Sequence, residues 1–276
     1  MKVKWLVEDD AFPEDTQPFL DAIKASGFEY KIRKFKPCDT QPDFYYLFPQ
    51  EDCVIFYGSL GLAKQIRRKA NWIPGVYYDP PKYDCVTYYA ELGKYLVNGN
   101  YMMMPFGELI RRKEYIFEHI SSDRAVFIRP NRGDKIFTGK VVYKEHYEKD
   151  IEIFNISQFD KNELVVVAEP RNLAFEWRFV VVEGKVITGS QYRENDRVAN
   201  DPNYPPEALK LAEEVASVYH PEPVFVVDIC LTKSGQYCVM EVGCFSCAGL
   251  YACDRLAIIK AVSKIALKDW QDINDF

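Results

Sequence analysis

The sequence has little histidine, no long apolar run and no excess of basic residues. Its three histidines, His119, His146 and His220, lie far apart in the chain, which speaks against a Ser-His-Asp triad and a histidine-rich metal site. Lysine and arginine number 35 against 41 aspartates and glutamates, and the net charge of −6 argues against a general binder of nucleic acid or anionic membranes. No stretch approaches the length of a membrane span. We therefore expect no nucleic-acid or membrane partner. A local basic cleft is still compatible with this composition.

The first residues and the cysteines indicate where the protein works. The opening stretch MKVKWLVEDD turns acidic after one short apolar run, unlike a secretory signal peptide. Most cysteines are scattered or lie in apolar runs, as Cys53 does, which favours buried, reduced thiols over a disulfide framework. Cys244 and Cys247 form a C-x-x-C pair, but the spacing to Cys238 and Cys253 is atypical of zinc sites, so zinc is the weaker alternative. We expect a cytoplasmic protein.

The first hundred residues alternate between strand and helix patterns. KVKWLV, FEYKIRKF, CVIFYG and GVYYD are typical of strands, and SLGLAKQIRRKA is typical of a helix between two of them. Strands separated by helices predict a parallel α/β layer. The first strand-to-helix turn, VEDDAFPED, lacks a G-x-G-x-x-G pattern, so it does not indicate a dinucleotide site.

From about Val126 onward the pattern changes to long strands and hairpins. These include ELVVVAEP and VFVVDICLTKSGQYCVMEVG, and amphipathic helices are predicted over about 206–219 and 251–268. We expect a domain boundary near 100–105 and a hinge near Glu169-Pro170.

The stretch EWRFVVVEGKVITGSQYR, residues 176–193, predicts a hairpin with a tight turn at Glu183-Gly184. A two-residue loop pairs position 182 with 185, 180 with 187 and 178 with 189. Arg178 and Arg193 then share one face, four residues out of register, or about 13 Å apart at strand rise, which is too wide for one phosphate. Lys185 and Gln191 share that face, whereas the reverse face is apolar and carries Trp177, Phe179, Val181, Val186 and Tyr192. The cationic face is either solvated surface or a binding site.

A second hairpin carries two acids within apolar runs. A two-residue loop at Ser234-Gly235 sets Asp228 opposite Glu241, a four-residue loop makes them diagonal neighbours, and a three-residue loop separates them. Two unpaired carboxylates would be costly there, so we expect a cation between them. Magnesium suits one or two carboxylates plus phosphate. Salt bridges to the arginines are the alternative.

The stretch FIRPNRGDKIFTGK, residues 127–140, is a third candidate. A strand ends at Arg129, a polar loop with Gly133 follows, and a strand resumes at Gly139-Lys140. A glycine-bearing loop between strands can lay backbone N–H groups and cations over phosphates, although the pattern is not a Walker A motif.

These pieces, in this order, resemble the ATP-grasp superfamily of carboxylate–amine ligases. The resemblance runs from about residue 105 to the C-terminus, and it implies an α/β fold in which two sub-domains clasp ATP. It implies a preceding α/β domain over 1–104, an ATP-grasp domain over 105–276, and sub-domains at about 105–168 and 169–276. The stretch EV-G-x-F-S-x-x-G-L-Y, with arginine where lysine is usual, is most similar to a subgroup named for two arginines and a lysine.

The resemblance also implies roles for individual residues. Arg129, where a lysine is more usual, and Lys140 would contact the ATP phosphates. The adenine base would lie against the hinge in VVVAEP, with the residues Val167, Ala168 and Glu169. Asp228 and Glu241 match the two metal-binding acids, but Gly243 stands where asparagine is expected, with Ser246 or a water as a substitute. Because the two arginines are too far apart for one phosphate, we expect Arg178 to hold the acyl substrate and its phosphate, and Arg193 the ATP phosphates.

The expected reaction is phosphorylation of a carboxylate by ATP, followed by attack of an amine on the acyl phosphate and release of ADP and phosphate. The resemblance implies ATP and Mg²⁺ as cofactors, a carboxylate and an amine (small molecule or peptide) as substrates, and a second copy of the chain as a partner. Two alternatives stay open. One is a nucleotide-binding regulatory or scaffold protein with lapsed ligase activity, and it stays open because Gly243 stands where asparagine is expected. The other is a phosphotransferase.

Overall fold

The computed structural model describes residues 2–34, 46–134, 136–155 and 160–274. Within these residues the chain forms three β-sheets and eight α-helices. The helices are α1 (Pro13–Ala25), α2 (Leu60–Lys69), α3 (Cys85–Leu92), α4 (Phe106–Arg111), α5 (Lys113–His119), α6 (Tyr147–Asn155), α7 (Pro206–Val218) and α8 (Arg255–Asn274).

The N-terminal sheet is parallel, as the alternating pattern predicted, with strand order β2-β1-β3-β4. Its strands are β1 (Lys4–Glu8), β2 (Glu29–Arg33), β3 (Cys53–Tyr57) and β4 (Ile73–Gly75). The strand CVIFYG is buried throughout at β3, because helices and the rest of the chain cover both faces of a parallel sheet. The strand predicted over FEYKIRKF is β2, and its final residue, Phe35, lies outside the described residues.

The strand predicted over GVYYD, residues 75–79, is wrong in position. The observed strand β4 ends at Gly75, at the start of that stretch. The N–H of Tyr77 donates to Ser246 Oγ at 2.9 Å rather than to a neighbouring strand. A side chain of the C-terminal half therefore replaces the ladder partner, which local patterning does not reveal.

The small sheet is antiparallel, with strand order β5-β8-β6-β7. Its strands are β5 (Tyr101–Pro105), β6 (Ala125–Pro130), β7 (Lys140–Tyr143) and β8 (Leu164–Ala168). Helices α4, α5 and α6 supply apolar residues to the core on one of its faces. Because β5 pairs with β8 along its whole length, the sheet begins at Tyr101, so the predicted boundary after residue 104 cuts its first strand.

The large sheet is also antiparallel, with strand order β11-β10-β9-β12-β13. Its strands are β9 (Leu173–Val182), β10 (Lys185–Glu194), β11 (Arg197–Asp201), β12 (Val224–Thr232) and β13 (Tyr237–Cys244). The two central strands, β9 and β12, are nearly continuous apolar runs because both faces are covered. Helix α7 packs on one face, where Phe179 and Val181 lie, and α8 packs on the other, where Val180 and Val182 lie.

The N-terminal sheet and the large sheet share one hydrophobic core. Trp5 and Phe19 of the N-terminal layer lie in the same cluster as Val180 and Val226 of the large sheet, together with buried residues of α8. Trp5 Nε1 also donates to Ser263 Oγ of α8 at 3.1 Å. The N-terminal layer and the large sheet therefore pack together through this core, and the division into domains after residue 104 stays a prediction.

Candidate functional site

A cleft between the small sheet and the large sheet contains a cavity of about 550 Å³, here called the large cavity. The loop from β6 to β7 contributes Phe137, Thr138 and Gly139 to it, which agrees with a glycine-bearing loop over the cleft. The charged residues that line it are Arg129, Arg171, Glu176, Arg178, Arg193, Asp196, Asp228, Lys233 and Glu241. A strongly charged wall of both signs suits a polyanion bound with a cation.

The turn of the arginine hairpin is confirmed. Glu183 and Gly184 have φ angles of 49° and 72°, as a two-residue turn between twisted strands requires. Val182 pairs with Lys185 as predicted, but a β-bulge at Ile187 shifts the register beyond that point, so the predicted pairs 180–187 and 178–189 are wrong. Lys185 is exposed at the turn and lies outside the large cavity.

A second bulge, at Tyr192, brings the two arginines closer along the sheet. Arg178 lies opposite Ser190, and Arg193 lies opposite Glu176, two residues along β9 from Arg178. The offset along the strands is therefore about 7 Å, half of the predicted value. The bulge also turns Tyr192 to the large cavity, so its predicted place on the apolar face is wrong. Both arginines line the cavity.

The two acids of the second hairpin pair directly, but for a reason other than the predicted loop. Leu231 pairs with Tyr237 and Ile229 with Val239, which leaves a three-residue turn that alone would separate the acids. A β-bulge beside Ile229 shifts the register by one residue and sets Asp228 opposite Glu241. The longer turn and the bulge offset each other.

Arg178 holds Asp228 in a buried, bidentate ion pair. Its Nε and Nη2 donate to the two carboxylate oxygens at 2.8 and 2.7 Å, and its Nη1 donates to the backbone oxygen of Gly249 at 2.9 Å. The rings of Tyr192 and Tyr251 stack on each other, and their centroids lie 5.7 and 5.4 Å from the guanidinium carbon. A guanidinium has five N–H donors, so two are left for a ligand.

Glu241 is paired from the opposite side of the cleft. Arg129, at the end of β6, donates from Nη2 to Glu241 Oε1 at 3.1 Å. Burial lowers the pKa of the Arg129 guanidinium, but neighbouring groups that include Glu241 outweigh this and raise it. The charges thus alternate across the cleft in the order Arg178, Asp228, Glu241, Arg129. Of the salt bridges to Arg178 and Arg193 considered as an alternative to magnesium, the one between Arg178 and Asp228 is present, whereas Glu241 pairs with Arg129 and Arg193 lies beside Glu176.

Glu176 is a buried acid that the sequence reasoning missed. Its carboxylate accepts from the Tyr192 hydroxyl at 2.7 Å and lies 3.5 Å from Arg193 Nε. Burial raises the pKa of Glu176, and the hydrogen bond from Tyr192 and the charge of Arg193 partly offset this. The sequence does contain a signal for Glu176. It lies two residues before Arg178 in the same predicted strand, so the two side chains share one strand face.

The other residues predicted to contact ATP lie outside the lining of the large cavity. Lys140 Nζ donates to Asp150 Oδ1 at 2.5 Å, and the Val167 and Ala168 side chains are fully buried. Glu169 lies 3.0 Å from Arg171, which does line the cavity. Their nucleotide contacts stay predictions.

The residues present fit magnesium that arrives with a phosphate. Among the described residues there is no group of three or more His, Cys, Asp or Glu that could hold a metal ion. Asp228 and Glu241 at paired positions supply two carboxylates, and Mg²⁺ commonly takes one or two carboxylates plus substrate phosphate. Because Arg178 donates to both oxygens of Asp228, a metal there has to share that carboxylate.

Position 243 offers no replacement for the expected asparagine. A Cβ atom at Gly243 would lie 3.1 Å from Val226 Cγ2, so a side chain there requires Val226 to move. Ser246, considered as a substitute ligand, is fully buried, accepts from Tyr77 N, and does not line the large cavity. Ser246 is therefore not placed to bind a metal in the cleft.

The loop between β13 and α8, which carries Tyr251, is fixed by the N-terminal layer. The N–H of Leu250 donates to Asp15 Oδ2 at 2.8 Å, and Arg255 Nη2 lies 2.5 Å from Asp15 Oδ1. The Tyr57 hydroxyl donates to the backbone oxygen of Ala248 at 2.9 Å. Residues 15 and 57 thus hold the loop that contacts Arg178 at two points, and Asp15 also holds the first residue of α8.

Glu222, before β12, predicts a pH-dependent stability. Burial raises its pKa to about 7, although the Tyr83 hydroxyl (2.5 Å) and the Asp79 N–H (3.2 Å) both donate to it. A carboxyl with a raised folded pKa binds more protons folded than unfolded, so stability falls as pH rises from about 4.5 to about 7. We expect Glu222→Gln to gain stability relative to wild type across that window, on the order of 2 kcal/mol at pH 8.

Melting temperatures of both proteins at pH 5 and pH 8 check this. A difference between the two proteins that stays the same at both pH values would show that Glu222 does not titrate in this window.

A family model described as the ATP-grasp domain, R2K clade family 2, matches residues 111–261, more than half of the chain. The chain belongs to this ATP-grasp family. The match confirms the family-level resemblance and supports ATP-dependent ligation in general. It does not bear on Arg129 in the place of the usual lysine, so that role stays a prediction.

Solved structures of ATP-grasp ligases have a similar fold. D-cycloserine synthetase DcsG is 15% identical with a TM-score of 0.65, and the alignment covers 96% of this chain and 99% of that chain. D-alanine–D-alanine ligase from Bacillus anthracis is 13% identical with a TM-score of 0.60, covering 99% and 100%. An ATP-grasp ligase from Chryseobacterium gregarium, solved with ADP and a leader and core peptide, is 11% identical with a TM-score of 0.59, covering 97% of both chains. At these identities the likeness shows the ATP-grasp fold.

No curated protein sequence matches this ATP-grasp chain. None of the helices in the part of the chain that the structure describes has the length and apolar character to cross a membrane.

Proposed function

We propose that the protein is an ATP-dependent carboxylate–amine ligase that forms an amide or peptide-like bond through an acyl phosphate. The observation that carries this is the row of alternating charges across the cleft, with two acids at paired positions between two arginines. Such an arrangement supports a transferring phosphoryl group without any covalent role for the protein.

Two bond exchanges make up the proposed reaction. A carboxylate oxygen of the substrate attacks the γ-phosphorus of ATP, the bond to the bridging oxygen breaks, and ADP leaves. The amine then attacks the acyl carbon, the C–O bond to phosphate breaks, and inorganic phosphate leaves while the amine gives up a proton. Closure of the cleft would keep water from the acyl phosphate.

Five charged residues of the cleft would bind the substrates and the metal ion. Arg193, which is half-exposed and lies 3.5 Å from Glu176, would bind ATP phosphates together with Arg129. Arg178, with two donors left, would bind the acyl substrate and its phosphate. Asp228 and Glu241 would hold Mg²⁺, which neutralises phosphate charge when it is bound.

The proposal is tested by incubating the protein with Mg²⁺, ATP, candidate carboxylates and hydroxylamine as the amine. We expect equal amounts of ADP, phosphate and hydroxamate. ADP with a stable phosphorylated product and no hydroxamate would indicate the phosphotransferase, and no ADP would count against catalysis.

Magnesium and ATP should stabilise the protein together. Because the two carboxylates would bind Mg²⁺ mainly with phosphate oxygens, we expect Mg²⁺ with ATP to raise the melting temperature by several degrees and Mg²⁺ alone to change it little. Thermal shift assays with each component and with both test this. A shift of the same size with and without ATP would contradict the shared site.

A binding module with lapsed ligase activity is the second candidate. The full engagement of Asp228 by Arg178 favours it, because this carboxylate is then less available to a metal. Such a module would show the thermal shift with ATP and no ADP release. A cytoplasmic location and a homodimer are further proposals, carried by the sequence and the family resemblance alone.

A further inference from the structure

A second cavity of about 80 Å³, here called the small cavity, lies beside the large one. The two share Arg178, Asp228 and Glu241, so a molecule in the small cavity would lie against the carboxylate pair. The rest of its wall is mostly aliphatic, aromatic or thiol, and includes Leu60, Tyr78, Tyr83, Val226, Val242 and Cys247.

Segments from all parts of the chain enclose the small cavity. Leu60 begins α2 of the N-terminal layer, Gly133 belongs to the loop between β6 and β7, and Val242 and Ala248 come from β13 and the turn after it. A cavity of roughly 150 Å³ can hold benzene, which has six heavy atoms, so one of about 80 Å³ holds a group of about three heavy atoms. The space suits the end of a small molecule.

Tyr78 brings an unpaired polar group to this apolar wall. The residue is 1% exposed, and its buried hydroxyl has no hydrogen-bond partner within the described ranges. Its backbone oxygen accepts from Arg67 Nη1 at 2.9 Å, which fixes this segment. A buried hydroxyl without a partner is unfavourable for folding, so it points to a group that is bound from outside.

The surroundings make the Tyr78 hydroxyl a donor. Burial raises its pKa, and the negative charge of Asp134 and the thiols Cys244 and Cys247 raise it further. The phenol therefore keeps its proton at neutral pH. A protonated phenol in an apolar wall suits an oxygen acceptor, such as a carboxylate or carbonyl oxygen.

We propose that the small cavity binds the carboxylate end of a small-molecule substrate, an acid about the size of glycine or alanine, and that Tyr78 donates to its oxygen and determines specificity. This inference rests on the proposed ligase function and narrows its carboxylate substrate to a free small acid instead of a peptide.

The substrate class is tested with defined probes. Glycine, alanine and β-alanine are compared with leucine, phenylalanine and an alanine-terminated hexapeptide, each with Mg²⁺, ATP and hydroxylamine, and ADP and hydroxamate are measured. We expect kcat/KM for the best small acid to exceed those for the large acids and the hexapeptide at least tenfold. Equal rates, or rates highest with the hexapeptide, would overturn the proposal.

Tyr78→Phe tests the hydroxyl. We expect it to raise KM for the best small acid at least tenfold, leave KM for ATP unchanged and keep or raise the melting temperature. Tyr83→Phe is the matched variant, because the Tyr83 hydroxyl on the same wall donates to Glu222 at 2.5 Å, so its melting temperature should fall. An unchanged KM for the acid in Tyr78→Phe would overturn the role of Tyr78.

Leu60→Ala provides a second, independent test. Leu60 is only half-buried, so its truncation should be tolerated while the small cavity is enlarged. We expect the ratio of kcat/KM for leucine to that for alanine to rise at least fivefold. An unchanged ratio would show that this cavity does not select the acid.

Failure of this proposal can be told apart from failure of the ligase assignment. If no probe yields ADP, the ligase function fails, whether or not Mg²⁺ with ATP stabilises the protein. If the large acids or the hexapeptide yield ADP and hydroxamate but the small acids give no ADP above background, the ligase function stands and the small-acid class is overturned.

Discussion

Glu241→Gln is expected to lower kcat of ATP-dependent turnover at least a hundredfold, or about 2.7 kcal/mol in the barrier. The amide keeps the volume of the side chain and can still accept from Arg129, but it removes a negative charge and a proposed Mg²⁺ ligand. Asp228→Asn should act in the same direction. Measurement of ADP release at saturating ATP and carboxylate checks both.

A matched control separates this effect from the general loss of an ion pair. Glu108→Gln also removes a glutamate charge from an arginine pair, since Glu108 lies 2.7 Å from Arg112, but on α4 and outside the cleft. We expect its turnover to stay within twofold of wild type. Near-normal turnover in Glu241→Gln would contradict the proposal that Glu241 binds Mg²⁺.

Arg178→Met and Arg193→Met should both reduce turnover by orders of magnitude, but only Arg178→Met should strongly destabilise the fold. Methionine at 178 leaves the Asp228 carboxylate, 6% exposed, without its counter-charge, which costs about 3–5 kcal/mol. For a chain of this size that is on the order of 10 °C in melting temperature. Arg193 is 45% exposed and its loss should cost less than about 1 kcal/mol.

The kinetic effects should also differ. Arg193→Met should mainly raise KM for ATP, and Arg178→Lys, which keeps the charge without the bidentate fork, should mainly raise KM for the carboxylate while folding better than Arg178→Met. Melting curves and initial rates over both substrates distinguish them. Small and equal changes in KM in both arginine variants would mean that neither arginine binds a substrate.

The sequence predicted much of the fold because its strong signals are local. Alternating strands and helices predicted the N-terminal sheet, and Glu183-Gly184 predicted the hairpin turn, since these depend on near neighbours in sequence. The bulges at Ile187 and Tyr192 have no such signature. They depend on how the large sheet twists against its neighbours, so the predicted pairing beyond the turn was wrong.

In the candidate site, too, local features could be predicted from the sequence and features that depend on distant residues could not. Either predicted even-numbered loop places Asp228 and Glu241 on one strand face, and they are directly paired there, although the turn has three residues and a bulge restores the pairing. Tyr251 was not predicted because its contact with Arg178 depends on a loop that residue 15 holds from more than 200 positions away. The unpaired hydroxyl of Tyr78 likewise becomes visible only when the surrounding side chains are in place.

The core that the N-terminal sheet shares with the large sheet limits how this protein can be recombined. Exchanging residues 1–104 for the corresponding layer of another ATP-grasp ligase would replace Trp5 and Phe19 against an unchanged α8. It would also remove Asp15, the anchor of the loop beside Arg178. A chimera with a new acceptor specificity therefore has to carry its own α8 and its own loop after β13, so the exchangeable unit is discontinuous in the gene.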